Sequence, residues 1–322
     1  MNQNHLKTGV VGVGSLGQHH ARIHADLARA GKTEFIGVAD TDAETARQIG
    51  TQQNCFYFTD WRELLDKVDA VSIVTPTETH AEIAIEFLKR GIHVLVEKPI
   101  ARTLEEADLM IETARQTGAR LMVGQLERFN PAIVALRPHV MKPLYFEIHR
   151  ISPFPARSLD VDVVLDVMIH DLDMISWFVG DEIAEIRAVG IPILTDKVDA
   201  ANVRLEFQKG AVANITASRV GTEKIRKMRF YQHNAYVAVD YVTKYAALTT
   251  LAPGAENPLA GIKINRLEIN DIEPLRAEIE AFIDSIAEDR EPPVTGAEGR
   301  RALSLALGVL EKISEHRARL EF

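Results

Sequence analysis

Three sets of residues in this 322-residue chain have the types and spacing of reaction chemistry. The first is GVGSLG, in which Gly12, Gly14 and Gly17 keep GxGxxG spacing between an apolar run and a helical pattern. One glycine permits the tight turn, the next lets a pyrophosphate approach the backbone, and the third lets the helix pack close to the strand. The amides at the helix start, around Ser15, Leu16 and Gly17, then face the phosphates with the helix dipole behind them. Asp40 closes the second strand-like run 23 residues after Gly17, where an acid bonds ribose hydroxyls. Thr41 and Asp42 follow it, with no basic residue, so a 2′-phosphate would be repelled and NAD is favoured over NADP. The second set is Glu97-Lys98-Pro99, just past a buried strand. Ligands of open α/β sheets bind outside the carboxyl ends of strands, so Lys98 points toward where a nicotinamide and a substrate would meet. The third is Asp166, His170 and Asp173 in LDVMIHDLDMISWF, whose i, i+4, i+7 spacing sets all three on one helix face. Residue types alone leave Lys98 readable as a turn lysine and the Asp–His pair as a solvated stripe.

Elements that would position these groups are visible in the pattern. Strand-like runs at Thr8–Val13, Glu34–Ala39, Ala70–Val74, His93–Val96 and Arg120–Val123 alternate with helical patterns. Thr41 with Glu44, and Thr103 with Glu106, have capping-box spacing. Such alternation implies crossover connections and a doubly wound parallel sheet, a Rossmann arrangement, over residues 1–123. Residues 124–322 read differently. A helix near Leu165–Val179 precedes strand-like runs at Ile183–Leu194, Ala200–Phe207, Ala211–Ser218, Lys224–Tyr231 and Tyr236–Val242. Hairpin turns are expected at Lys209-Gly210 and His233-Asn234. Two helices, about Glu273–Glu288 and Ala297–His316, close the chain. The expectation is an α+β domain with a large antiparallel sheet.

Composition bounds the function. Apolar residues make up 46% and charged residues 26%, an ordinary globular balance that excludes disordered and collagen-like chains. Lys and Arg total 37 against 46 Asp and Glu, a net charge of −9, which argues against a nucleic-acid partner. No apolar run reaches the roughly 18 residues a membrane helix needs. The start lacks a charged segment followed by an apolar signal core, and Cys55 is the single cysteine; a cytoplasmic protein without an intrachain disulfide is expected. No Cys/His cluster has zinc spacing, and no metal is expected.

Together these features resemble the glucose–fructose oxidoreductase / inositol dehydrogenase / MocA family over nearly the whole chain. The resemblance is carried by GVGSLG, TPTETH (Thr75 to His80), EKP, ERFNP (Glu127 to Pro131) and the Asp166/His170 pair. It implies a two-domain NAD(P)-dependent oxidoreductase acting on sugars or cyclitols, assembled as a homodimer or homotetramer through the open face of the second-domain sheet. The family's catalytic lysine falls on Lys98, and its helix aspartate and histidine on Asp166 and His170. Thr75, Pro76 and His80 match the segment flanking the nicotinamide end, beside Glu97. On this basis His170 removes the hydroxyl proton, Lys98 stabilises the developing alkoxide, and Asp166 fixes their geometry; the roles of Lys98 and His170 remain exchangeable. QLERFNP, EIHRISPFPARS and LDVMIHDLDM resemble bacterial sugar-nucleotide 3-dehydrogenases, which implies a UDP-N-acetylhexosamine oxidised at its 3-hydroxyl. Arg128, Arg150 and Arg157 are then candidates for the diphosphate, and Asn130 and Asp173 for the sugar, although each arginine also reads as surface and Asn130 as a cap for the helix Pro131 enters. The alternatives are a myo-inositol or free-sugar dehydrogenase, an NAD-dependent glycosidase, and a non-catalytic NAD-binding regulator.

Overall fold

The computed structural model describes residues 5–154, 161–252 and 261–320. The chain forms two compact units, Met1–Gln125 with Leu275–Leu303, and Leu126–Pro274 with Ser304–Phe322. The first break lies close to the expected one. The second differs from it, because a continuous domain over 124–322 would leave Leu275–Leu303 outside the first unit. The reason is local pairing: Val123 N donates to Val294 O at 3.1 Å, Met122 bridges Thr295, and Gly299 lies so close to Val123 that a Cβ would come within 2.5 Å of its side chain.

In the first unit, β1 (Leu6–Val11), β2 (Thr33–Ala39), β3 (Phe56–Phe58), β4 (Ala70–Ile73), β5 (His93–Glu97) and β6 (Leu121–Gly124) form one parallel sheet in the order β3-β2-β1-β4-β5-β6. Val10, Val38, Ile73, Val94 and Val96 are fully buried, as strands of a sheet covered on both faces must be. The connections are α1 (Gly17–Arg29), α2 (Ala43–Gln53), α3 (Thr77–Leu88) and α4 (Leu104–Thr117). Strand order reverses between β1 and β4, and that is where a doubly wound sheet opens a crevice for ligand. Thr103 caps α4 as its spacing predicts, accepting from Glu106 N at 3.2 Å. The cap of α2 is Asp42, not Thr41: its carboxylate takes the amides of Glu44 and Thr45, a stronger acceptor one residue nearer the helix.

The second unit is built on an eight-stranded, mostly antiparallel sheet. Its strands are β7 (Pro143–Ile151), β8 (Ile183–Ile191), β9 (Ala200–Phe207), β10 (Val212–Ser218), β11 (Ile225–Gln232), β12 (Ala235–Asp240), β13 (Tyr245–Leu251) and β14 (Ile262–Arg266), in the order β14-β13-β12-β11-β7-β10-β9-β8. Both expected hairpins are present, with Gly210 and Asn234 at positive φ. The sequence pattern missed β7, which lies centrally, antiparallel to β11 and parallel to β10. A short helix α5 (Pro131–Leu136) and the helix α6 (Ile169–Val179) belong to this unit. α6 is preceded by a wider π-type turn over Val164–Met168. Late in the chain, α7 (Pro274–Ala287) falls almost wholly in the first unit, and α8 (Gly296–Arg317) starts in the first and ends in the second.

Candidate active site

The first unit carries the nucleotide half. Gly12 has φ +82°, and a Cβ there would lie 2.6 Å from Val74 O; a Cβ on Gly17 would lie 1.9 Å from Gly12 O. Only glycine fits either place. A Cβ on Gly14 would meet nothing within 4 Å, so what its absence leaves there is open surface. α1 begins beside it with no acidic residue in its first turn and no side-chain cap bond at Leu16, which keeps the positive end of the helix uncompensated by its own side chains. Gly14, Ser15 and Leu16 are exposed. Asp40 braces the turn: Oδ2 accepts from Val13 N at 2.8 Å and Oδ1 from Asp42 N at 3.0 Å. Each oxygen has further lone pairs for ribose hydroxyls. A glycine cradle at the switch point, an uncapped helix start and an acid at the end of β2 fit an adenine dinucleotide.

His80 is buried and does not present its ring as a surface. Its Nδ1 lies 2.9 Å from Pro99 O and its Nε2 2.9 Å from Thr75 O, so the ring ties the Thr75-Pro76 turn to the Lys98-Pro99 turn. Burial lowers its pKa, while the two carbonyls pull the other way. Thr75 Oγ1 accepts from Thr79 Oγ1 at 2.8 Å. Lys98 is half-buried at the end of β5 and followed by a cis Pro99. Behind it Glu97 Oε2 accepts from Lys98 N at 3.3 Å, and Oε1 lies 3.2 Å from His20 Nε2. Gly124 makes room for this carboxylate, since a Cβ there would come within 2.9 Å of it. Glu278 on α7 completes the cluster: it is fully buried, and burial followed by the charge of Glu97 pushes its carboxyl well above the usual range. His20 and Glu278 were missed in sequence. The signal for Glu278 is an acid inside the apolar spacing of Leu275, Ile279 and Phe282.

The second unit carries Asp166 in the π-type turn and His170 in the first turn of α6, both half-buried. π-type turns recur at functional positions in helices. Asp173 does not share their situation. It is buried, and Arg128 grips it with Nε and Nη2, each at 2.7 Å. The Arg128 side chain is only 5% exposed and stacks 4.9 Å from the Trp177 ring centroid. Arg150, 4% exposed, donates to both oxygens of Asp171 and to Glu127 Oε1, all at 2.8 Å. Burial opposes the Arg150 charge, yet Asp171 and Glu127 hold its pKa well above its usual value, while burial raises that of Asp171 against the pull of Arg150. The charges of Arg128, Arg150 and Asp173, which the sequence offered to a substrate, are thus paired inside the fold. Asn130 is a helix cap, one of its two sequence readings: its Oδ1 accepts from Ala132 N at 3.1 Å at the start of α5, and its Nδ2 donates to Glu127. Arg157 lies outside the described residues. The sequence missed Glu127, Asp171 and Arg226, which approaches Glu127 at 3.9 Å. Among the described residues no group of three or more His, Cys, Asp or Glu side chains is placed to hold a metal ion, and no helix is long and apolar enough to cross a membrane.

Fold and residues define an NAD-binding oxidoreductase. Residues 6–125 match the model of the oxidoreductase family with an NAD-binding Rossmann fold, and residues 143–235 match the GFO/IDH/MocA C-terminal domain. The chain is 39% identical over 306 residues to UDP-N-acetylglucosamine 3-dehydrogenase of Acidithiobacillus ferrooxidans, covering 95% of this chain and 96% of that one. A crystal form of that dehydrogenase superposes with TM-score 0.91 over 97% of this chain and 98% of that one. Inositol 2-dehydrogenase of Rhizobium meliloti is 28% identical, over 97% of this chain and 98% of its own. A levoglucosan dehydrogenase in complex with NADH and levoglucosan, at 20% identity and TM-score 0.85 over 96% of this chain and 97% of that one, shares the fold. The chain belongs to the Gfo/Idh/MocA oxidoreductase family, whose members named here are dehydrogenases of sugar or cyclitol hydroxyls.

Proposed function

We propose that this protein oxidises the 3-hydroxyl of UDP-N-acetylglucosamine, or a close UDP-N-acetylhexosamine, to the ketone with NAD as acceptor. The observation that carries the substrate is the 39% identity to a UDP-N-acetylglucosamine 3-dehydrogenase over nearly the full length of both chains. NAD over NADP is supported by Asp40, an acid just past the end of β2 with no basic residue at Thr41 or Asp42 and with Asp42 committed to the α2 cap.

NAD, when bound, supplies the acceptor for the hydrogen that leaves the carbinol carbon with its electron pair. The glycine turn and the start of α1 hold its pyrophosphate, and Asp40 its adenosine ribose. The remaining task is the hydroxyl proton. His170 takes it, because an imidazole has the pKa best matched to neutral solution. Lys98 stabilises charge on the same oxygen, and Asp166 orients the lysine or a sugar hydroxyl. His80 and Glu97 are positioning residues: one ties the Thr75-Pro76 turn to the turn that carries Lys98, the other accepts from the Lys98 amide. The proposal extends to self-association through the outer face of the second-unit sheet, where Tyr145, Tyr231 and Tyr236 form a cross-strand aromatic ladder with centroids 5.5 and 5.1 Å apart.

The test is nicotinamide reduction followed by absorbance with UDP-N-acetylglucosamine, other UDP-sugars, myo-inositol and glucose in parallel. A transaminase with glutamate is coupled to remove the ketone. Reduction confined to UDP-N-acetylhexosamines is the expected result. Reduction with a free polyol alone would move the protein to the cyclitol branch of the family.

A further inference from the structure

We propose that Arg226 on β11 is the cation that meets the diphosphate of a nucleoside-diphosphate sugar, which makes it a specificity-determining residue of this site. The inference rests on the sugar-nucleotide function proposed above. Such a substrate calls for a guanidinium fork, and two of the arginines the sequence suggested, Arg128 and Arg150, are held by buried carboxylates.

Arg226 is differently placed. Alternation along β11 puts it on the same face as the buried Met228, Phe230 and Gln232. It pairs in register with Arg150 on β7, whose guanidinium reaches Asp171 of α6. Arg226 thus stands on the helix-facing side of the sheet, at the end covered by the start of α6. A core-facing strand position ordinarily takes an apolar side chain, and two guanidinium groups opposite each other on neighbouring strands repel. Burial and then Arg150 lower its pKa, opposed by Glu127, Asp171 and Asp166. Arg150 bonds Glu127 Oε1 at 2.8 Å; Arg226 only approaches the same oxygen at 3.9 Å, beyond charge-assisted hydrogen-bond length. Its side chain remains 42% exposed. A cation kept at a costly position, short of hydrogen-bond distance from Glu127 and still open to solvent, is the pattern of a group that gains its partner from a ligand.

The test measures binding of UDP, as a sugar-free probe, by calorimetry to wild type, Arg226→Lys and Arg226→Gln, with NAD affinity and thermal midpoint as controls. KM and kcat for UDP-N-acetylglucosamine are measured on the same proteins. Arg226→Gln is expected to weaken UDP binding and raise KM about tenfold or more, with a smaller loss in kcat. Arg226→Lys should fall between, since an ammonium carries the charge without the fork. NAD affinity should stay within about twofold in both variants. If Arg226→Gln does not fold, Arg226→Lys gives the same comparison. Unchanged UDP affinity and KM in a wild-type background that oxidises UDP-N-acetylglucosamine would overturn this inference alone. Parallel losses of UDP affinity, NAD affinity and thermal midpoint would overturn it in favour of a structural counter-charge for Glu127. Failure of the wild type to bind UDP or oxidise any UDP-sugar would overturn the proposed function and this inference with it.

Discussion

Replacing Glu278 by glutamine should make the protein more stable as the pH rises, relative to wild type. Glu278 is fully buried, and among the described residues neither carboxyl oxygen has a hydrogen-bond partner. Burial, then the neighbouring Glu97, push its pKa well above the ordinary 4.5. The folded state therefore keeps a proton that the unfolded chain has released above that ordinary value. A carboxyl with a raised folded pKa contributes stability below its unfolded pKa and loses it as pH climbs toward the folded one. The slope is about 1.4 kcal/mol per pH unit while the folded group stays protonated. The loss accumulates from the ordinary carboxyl range upward for as long as the folded group keeps its proton. Glutamine keeps the shape and cannot ionise, so Glu278→Gln removes this slope and leaves every other titrating group in place. The assay is urea unfolding of both proteins at closely spaced pH values. The difference between them should widen as pH rises above the ordinary carboxyl range, by up to about 1.4 kcal/mol per pH unit. An unmet hydrogen bond of the amide adds a constant offset and does not alter the slope. A difference that stays flat with pH would refute the reasoning, since it would mean that Glu278 ionises in the fold near its ordinary pKa.

Other consequences follow from the same structure. Lys98→Ala and His170→Ala should each lower kcat by about 10²–10⁴-fold with NAD affinity nearly intact; equal losses of NAD affinity, measured by fluorescence titration, would contradict their catalytic assignment. Asp40→Ala should weaken NAD binding by about tenfold or more and narrow the gap to NADP, and unchanged NAD affinity would remove Asp40 from the ribose. Arg128→Ala should cost about 3–5 kcal/mol in unfolding free energy, because it strands the buried Asp173 carboxylate. A change below about 1 kcal/mol together with a raised substrate KM would return Arg128 to substrate binding.

The nucleotide half was legible because its signals are local. A glycine turn between a strand and a helix, an acid at the next strand end and regular strand–helix alternation all lie within short windows, and the parallel sheet follows from them. The hairpins at Lys209-Gly210 and His233-Asn234 were legible for the same reason, whereas β13 and β14 were not read. β7 was not, although its burial alternates, because its partners β10 and β11 lie more than sixty residues later in the chain. Pairing at that distance is decided by tertiary packing rather than by any turn. The substrate half suffered from a related ambiguity. An arginine looks the same in sequence whether it covers surface, grips a ligand or closes a buried ion pair; Arg128 and Arg150 form buried ion pairs with Asp173, Asp171 and Glu127. Strand alternation did hold one usable clue, since it sets Arg226 in phase with Met228 and Phe230.

The central claim, oxidation at carbon 3 of a UDP-N-acetylhexosamine, is tested most directly by isotope transfer. UDP-N-acetylglucosamine carrying deuterium at carbon 3 would be incubated with the protein and NAD, and the reduced cofactor analysed by mass spectrometry. The reduced nicotinamide should gain the deuterium, and the sugar product should have lost it. Reduced cofactor without deuterium would place the oxidation at another carbon, and no reduction under conditions where NAD binds tightly would contradict the proposed activity.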